Sequence, residues 1–317
     1  MIRYILARLA GFLATLLGAA FITFFMLDLL PGDPARFMLG ITASSESVAQ
    51  LRQTLGLDAP AVQRFFTWLL GMATGDFGLS HTQRAPVSQL IAERLGVTVP
   101  LALMAMVIST LIGLPIGIAA ARRRGTPADT ALMGVAQIGV AIPNFWFGML
   151  LVLLFSVALR WLPPGGFVPW SQNAGGALAS LILPSLALGV PQAAILARVM
   201  RTALVDVAEA DFIRTARAKG LTRRQALWRH GVRNALLPVL TILGLQFAYL
   251  VAGTVIVENV FYLPGLGRLI FTAISERDLI LVRGAIMVLV VAVTLTMLLV
   301  DLLYAIVDPR LRRASAP

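Results

Sequence analysis

The chain has 317 residues, 58% hydrophobic and 13% charged, with a mean hydropathy of +0.86 and a formal charge of +11. Those proportions lie far from a soluble average and define an integral membrane protein. Cysteine is absent, which excludes disulfides, thiolate metal sites and cysteine nucleophiles, and the two histidines, His81 and His230, fall on opposite faces, so no two-histidine metal site forms within the chain.

About 20 apolar residues cross a hydrocarbon core. Charge-free runs of that kind occupy residues 9–27, 96–121, 130–159, part of 161–197, 234–257, and 284–300, the last extending towards 306. They predict an all-α polytopic membrane protein with six transmembrane helices. The first run is expected to be retained: it exceeds a usual signal-peptide core, and no small-x-small site follows before Pro31-Gly32-Asp33-Pro34.

Residues 31–96 have the composition of soluble protein. Ser44 or Ser45 is positioned to cap a helix through Val48, Leu51 and Leu55 that stops at Gly56. A second helix, 62–72, carries Phe65, Phe66 and Trp68; a turn at Gly75-Asp76-Phe77-Gly78 follows, and an amphipathic stretch, 87–95, leads into the second span. This segment serves either as a packed cap or as a surface that meets a solute or a delivery protein. Spans two and three meet at the basic turn Arg122-Arg123-Arg124-Gly125-Thr126-Pro127-Ala128-Asp129. Gly113 and Gly117 in span two allow close helix contact, and Pro143 predicts a kink in span three. The fourth span follows Pro163-Pro164-Gly165-Gly166 and contains Pro184 and Pro191, so it is expected to be broken and the least regular of the six. Pro143, Asn144, Gln192 and Gln246 are the polar or irregular intramembrane positions, hence candidates to line a pathway.

Six spans put both termini on one side. Seventeen of the 26 basic residues, in the N-terminus, the second connection, residues 198–233 and the tail, share that side, and the positive-inside bias makes it cytoplasmic. The expected division is a first span (1–30), an extracytoplasmic helical segment (31–96) and a core of five spans (97–317) with a cytoplasmic loop at 202–236. Arginine beside membrane spans reflects topology and anionic-lipid contact, not nucleic-acid binding.

Several activities are argued against, and a self-contained channel or secondary carrier stays only as an alternative. Asp28 lies at the outer end of the first span and Asp301 and Asp308 near the inner end of the last, so no charge sits mid-span as proton- or sodium-coupled carriers require. Ala218-Lys219-Gly220-Leu221-Thr222 lacks the preceding glycine and spacing of a phosphate loop, and no Ser-His-Asp set shares a face, so no catalytic residue, metal ligand or cofactor site is assigned to this chain.

One polar stretch interrupts this apolar sequence: Asp211-Phe212-Ile213-Arg214-Thr215-Ala216-Arg217-Ala218-Lys219-Gly220-Leu221, which holds the only lysine. Asp206, Glu209 and Asp211 lead in and Arg214, Arg217 and Lys219 close it, the charge order a helix dipole favours, with Gly220 as the stop. Thr222 is placed to cap a second helix with Leu227, Trp228, Val232 and Leu236 on one face and Arg223, Arg224, Arg229 and Arg233 on the other. Charge and amphipathicity serve a pair of helices on the inner leaflet and a protein-docking knob equally, although Ala216, Ala218 and Gly220 suit close approach to protein better than insertion into lipid.

The pattern from Asp211 to Leu221, followed by His230-x-x-Arg233-Asn234-Ala235-x-x-Pro238, resembles the cytoplasmic coupling loop of ABC importer permeases of the dipeptide, oligopeptide and nickel family. Pro31-Gly32-Asp33-Pro34, Leu55-Gly56-Leu57-Asp58-x-Pro60, Gly75-Asp76-x-Gly78-x-Ser80 and Pro264-Gly265-Leu266-Gly267 extend the likeness over nearly the whole chain, in the form of the first of two permeases. Arg214-Thr215-Ala216 stand where the general importer consensus has Glu-Ala-Ala. The resemblance implies half of a translocation pore in a bacterial inner membrane. It also implies a second permease, two ATPase subunits that bind ATP and Mg, and an extracytoplasmic solute-binding protein. Asp211, Arg214, Thr215, Ala216, Arg217, Ala218, Lys219, Gly220 and Leu221 would then couple to the ATPase. Peptides are the expected cargo, with nickel, glutathione or another small solute as the alternative.

Overall fold

A computed structural model of the chain describes residues 2–29, 34–39, 43–54 and 56–307. Pro31, Gly32, Asp33, Leu55, Asp308, Arg310, Arg312 and Arg313, used above, lie outside the described residues.

Helix α1 (Ile2–Asp28) is the first span, followed by α2 (Pro34–Leu39), α3 (Ser45–Thr54) and α4 (Ala61–Ala73). The Ser47 amide donates to Ser44 Oγ at 3.2 Å, which fixes the start of α3, and Gly56 takes φ +63° beyond its end. Phe65, Trp68, Leu69 and Met72 of α4 pack on Ala20 and Phe24 of α1 and on Met287, so α4 lies against the end of the bundle.

Helix α5 (Val87–Arg122) joins the amphipathic stretch and the second span in one helix of 36 residues. The third apolar run is not a single helix. α6 (Pro127–Ala141) and α7 (Asn144–Leu151), the latter prolonged by π-helical turns over Val152–Ala158, are bent by 101° at Ile142-Pro143. Pro143 has no amide hydrogen to donate and holds Ile142 extended (ψ 123°), so the break is more than the kink expected. Each half has 15 residues and reaches about 22 Å, less than the hydrocarbon core.

Helix α8 (Ala174–Ala208) corrects a second expectation. It runs unbroken through Pro184 and Pro191. Arg198 and Arg201, beyond the end of the charge-free run, ride on its last turns. The prolines are tolerated because neighbouring helices enclose this helix, and such packing restores what a lost backbone hydrogen bond costs. From Ser180 to Arg201 only one side chain of α8, Arg198, is exposed, and it donates to Gln137 of α6. Against α8 the α5 glycines do as expected. A Cβ at Gly113 would stand 2.7 Å from the Ala193 carbonyl oxygen, one at Gly117 2.5 Å from that of Ala197, and one at Gly189 of α8 2.7 Å from that of Ala105.

The chain continues through two short helices, α9 (Asp211–Ala218) and α10 (Arg223–Ala226), into α11 (Val232–Val260), then α12 (Leu266–Ser275) and α13 (Leu279–Val307). The core of the bundle joins Leu101 of α5, Leu151 of α7, Leu181 and Leu188 of α8, and Leu250 and Val257 of α11, with Phe261 and Leu263. α12, absent from the sequence expectation, covers the ends of α5, α11 and α13 through Leu266, Leu269, Ile270 and Ala273. Four helices and the continuous α10–α11 unit account for five spans, and the α6–α7 pair makes a sixth if counted as one.

The glycine contact gives a sharp contrast between two substitutions. Gly117→Val is expected to force α5 off α8 and cost about 3 kcal/mol or more. Gly96→Ala, with nothing within 4 Å of the added carbon, should be neutral. Thermal unfolding of the two variants in detergent separates them.

Candidate functional site

The polar stretch forms a compact knob at one end of the bundle. α9 starts at Asp211 and is capped at its end by Lys219 and by Gly220, whose φ of +92° only glycine adopts readily. Thr222 and Gln225 form a reciprocal capping box: the Gln225 amide donates to Thr222 Oγ1 at 3.3 Å and the Thr222 amide to Gln225 Oε1 at 2.9 Å. α10 then passes through a π-helical turn over Leu227–Gly231 into α11.

Ile213, Ala216 and Ala226 are buried together, with Val207 and Leu221 against them, so the knob has its own small core joined to α8. Ala216 is therefore an interior residue of the knob. Asp211, Arg214, Thr215, Arg217, Ala218, Lys219 and Gly220 are exposed and Leu221 is half-buried. Arg214 pairs with Asp211 at 3.4 Å, a solvated pair of little energetic weight. Phe212 is 44% exposed on the same small helix, an outward aromatic that the charge pattern drew attention away from.

Below the knob, two ion pairs fasten its supports. Arg201 of α8 donates from Nε and Nη2 to the two oxygens of the buried Asp129 at 2.6 Å each, and Asp129 also accepts from the Gly125 amide. Arg124 reaches Glu209 at 2.5 Å. The α5–α6 turn and the end of α8 are thus joined.

The pathway candidates separate into two places. Gln246 Nε2 of α11 donates to the Gln192 carbonyl of α8 at 2.8 Å, and Gln192 Oε1 and Gln246 Oε1 are buried without a partner among the described residues. Pro143 and Asn144 instead form the break between α6 and α7.

Two carboxylates carry structure that the sequence reading passed over. Glu258, 0% exposed at the end of α11, accepts from Thr98 Oγ1 at 2.6 Å and from the Arg268 amide at 3.1 Å, while the Leu266 amide donates to Thr98 Oγ1 at 2.8 Å. It holds the amino-terminal turn of α12, and a Cβ at Gly265 would overlap its carboxylate, which accounts for the glycines of Pro264-Gly265-Leu266-Gly267. The signal was available: an acidic residue ending an apolar run, then two glycines one residue apart. Asp278 accepts from Ser80 Oγ at 2.6 Å, from the amides of His81, Thr82 and Leu281, and from Thr82 Oγ1. These contacts account for Ser80 in Gly75-Asp76-x-Gly78-x-Ser80. Burial pushes Asp278 up, but the Ser80 hydroxyl and the Leu281 and Thr82 amides outweigh it and hold the group below the usual aspartate value. Burial lowers the His81 imidazole, with the Asp278 charge opposing, so His81 is neutral at neutral pH.

Helices of this length and polarity define a multi-pass membrane protein, with its one large polar projection on the end where α8 and α11 meet. Residues 113–313 match the family described as binding-protein-dependent transport system inner membrane component, and residues 1–102 match the N-terminal part of such membrane components. The chain therefore belongs to this family, the ABC importer permeases of the dipeptide, oligopeptide and nickel type, and is a permease subunit of the bacterial inner membrane. A protein of Brucella abortus (strain 2308) whose name assigns it to a peptide transport system as a permease is 44% identical over 312 residues, 98% of this chain and 99% of the relative. The glutathione transport system permease protein GsiC of Salmonella typhimurium (strain LT2) is 42% identical over 312 residues, with the same coverage of both chains. A structure of the MetNI methionine ABC transporter in an inward-facing conformation aligns with a TM-score of 0.58 at 18% identity, over 69% of this chain and 97% of that one, a likeness of fold.

Asp278 gives a testable outcome on the capped end. Asp278→Ala should release the 80–82 turn and speed tryptic cleavage after exposed Arg84 by about tenfold, because local opening governs proteolysis. Since the folded Asp278 value is depressed, its stabilisation is complete above the unfolded aspartate value of about 3.9 and fades as pH falls through the folded value. Cleavage of the native chain by an acid protease should accelerate only below that window.

Proposed function

We propose that this chain forms half of the translocation pathway of an ATP-driven importer of short peptides, and that the 211–221 knob transmits ATPase movement to the bundle. The observation that carries the docking role is the length of α8. Its 35 residues reach about 52 Å, and the part that follows the charge-free run, 198–208, reaches about 16 Å beyond Ala197. A knob on that end stands beyond the hydrocarbon core. Its outward face carries Phe212 and the small Ala218 among charges, which suits a protein socket better than a lipid surface.

In this reading a second permease completes the pathway, two ATPase subunits bind ATP and Mg beneath, and a solute-binding protein delivers cargo to the capped end, residues 31–96. Binding energy that closes the ATPases displaces the knob, and the rigid core of Ile213, Ala216 and Ala226 passes the displacement to α8 and α11. Arg217 and Lys219 meet acidic or carbonyl groups of the ATPase, and Gly220 sets the angle between the two short helices. Gln192 and Gln246, with Pro143 and Asn144, are the pathway-lining candidates in the membrane. Peptide cargo rests on the Brucella relative, and glutathione, itself a tripeptide, is the second reading favoured by the Salmonella relative.

The double variant Phe212→Ala with Arg217→Glu leaves the knob core intact. In proteoliposomes holding both permeases and the ATPases, it is expected to lower substrate-stimulated ATP hydrolysis about tenfold or more, the scale on which interface anchors act. Unchanged hydrolysis and transport would sink the docking role.

A further inference from the structure

A cavity of about 960 Å³ lies at the capped end, between α1, the α3–α4 segment, the 76–82 turn and the start of α13. That volume is at the upper end of the range for small-molecule sites. Its wall contains an unbalanced charge. Asp28, at the end of α1, accepts both Nη atoms of Arg64 at 2.7 and 2.9 Å, and Arg64 Nε donates to the Ala59 carbonyl, so that pair is complete. Arg283 of α13 stands 3.6 Å from Asp28, too long for a hydrogen bond. Its side chain is 14% exposed and its Nε is buried without a partner among the described residues.

A second orphan donor stands close by. Trp68 Nε1 is likewise buried and unpartnered among the described residues. Both groups lie on one ring: the Arg283 guanidinium carbon is 4.4 Å from the Phe24 centroid, and the Trp68 ring is centred 5.5 Å from it. Other carboxylates line the cavity without answering them. Asp278 is saturated by its own donors, Asp76 accepts from the Gly78 amide, and Glu276 is exposed. Buried donors left unpaired cost free energy, and both of these belong to residues that line this cavity and pack on Phe24.

We propose that this cavity binds a small carboxylate-bearing solute, with Arg283 as its ion-pair partner and Trp68 Nε1 as a further donor. A planar carboxylate matches the guanidinium fork and leaves an oxygen for the indole. The site lies among the outer ends of the helices, at the end of the bundle opposite the knob, and its proposal stands apart from the identity of the transported cargo.

The test is calorimetric titration of the full chain in lipid nanodiscs with N-acetylglycine and with N-acetylglycinamide, which differ only in the carboxylate. Saturable binding of the acid is expected, with the amide about tenfold weaker, the scale on which a charge-assisted bidentate contact discriminates. Arg283→Lys keeps the charge and removes the fork, and should raise Kd about tenfold. Trp68→Phe keeps the ring packing and removes the donor, and should raise it about threefold, in keeping with one net hydrogen bond. The second variant carries the test if the first fails to fold, and unchanged melting temperatures confirm that affinity alone has moved. Absence of saturable acid binding, equal affinity for acid and amide, or unchanged Kd in the folded variants overturns the proposal.

Discussion

At Gly113 and Gly117 the backbone of α5 meets that of α8 with no side chain between them, and Gly189 repeats the contact from the other helix. In lipid there is no hydrophobic drive to bring helices together, so close van der Waals contact has to supply it. Spaced glycines on both helices make that contact extensive. Once α8 is fixed against α5, it becomes the central helix, enclosed along its length and able to hold Pro184 and Pro191 without breaking. α6, α7 and α11 pack on what remains of its surface. The irregularity that the prolines of the fourth run promised appears instead in the third, where Pro143 lies at a junction between two half-helices rather than inside an enclosed helix.

Buried ionic and polar contacts then hold the two ends of the bundle. At the end that carries the knob, Arg201 and Asp129 lock the α5–α6 turn to α8. At the other, Glu258 holds α12 and Asp278 holds the 80–82 turn. Buried carboxylates are costly unless every oxygen is answered, and each of these is answered by several donors. Charges placed this way fix register and angle at helix ends, where apolar packing alone is least selective. The middle of the bundle holds, among the described residues, the Gln192 and Gln246 contact and the buried hydroxyls of Ser109, Ser185 and Thr254.

The knob behaves as a unit because it has a core of its own, shared with Val207 at the end of α8. A helix of eight residues is unstable alone. Here the burial of Ile213 and Ala216, the capping box at Thr222 and the left-handed turn at Gly220 replace the stability that length would provide. The exposed residues of the knob therefore keep fixed positions relative to α8 and α11.

The sequence by itself determined the class of protein, the apolar runs, the helices at 45–54 and 61–73, and the polar segment with its stop at Gly220. Each of these follows from local composition or from a preference of a few adjacent residues. Family likeness was legible for the same reason, since its motifs are short and contiguous. Only the tertiary structure decided that Ala216 faces inward, that α8 stays straight through two prolines, and that Glu258, Asp278 and Arg283 are buried with partners up to 255 residues away in sequence. Those outcomes depend on which surfaces enclose a residue, and a neighbour distant along the chain leaves no trace in local periodicity. The break at Pro143 belongs to both: a proline announced it, and the packing of α7 against α8 set it at 101°.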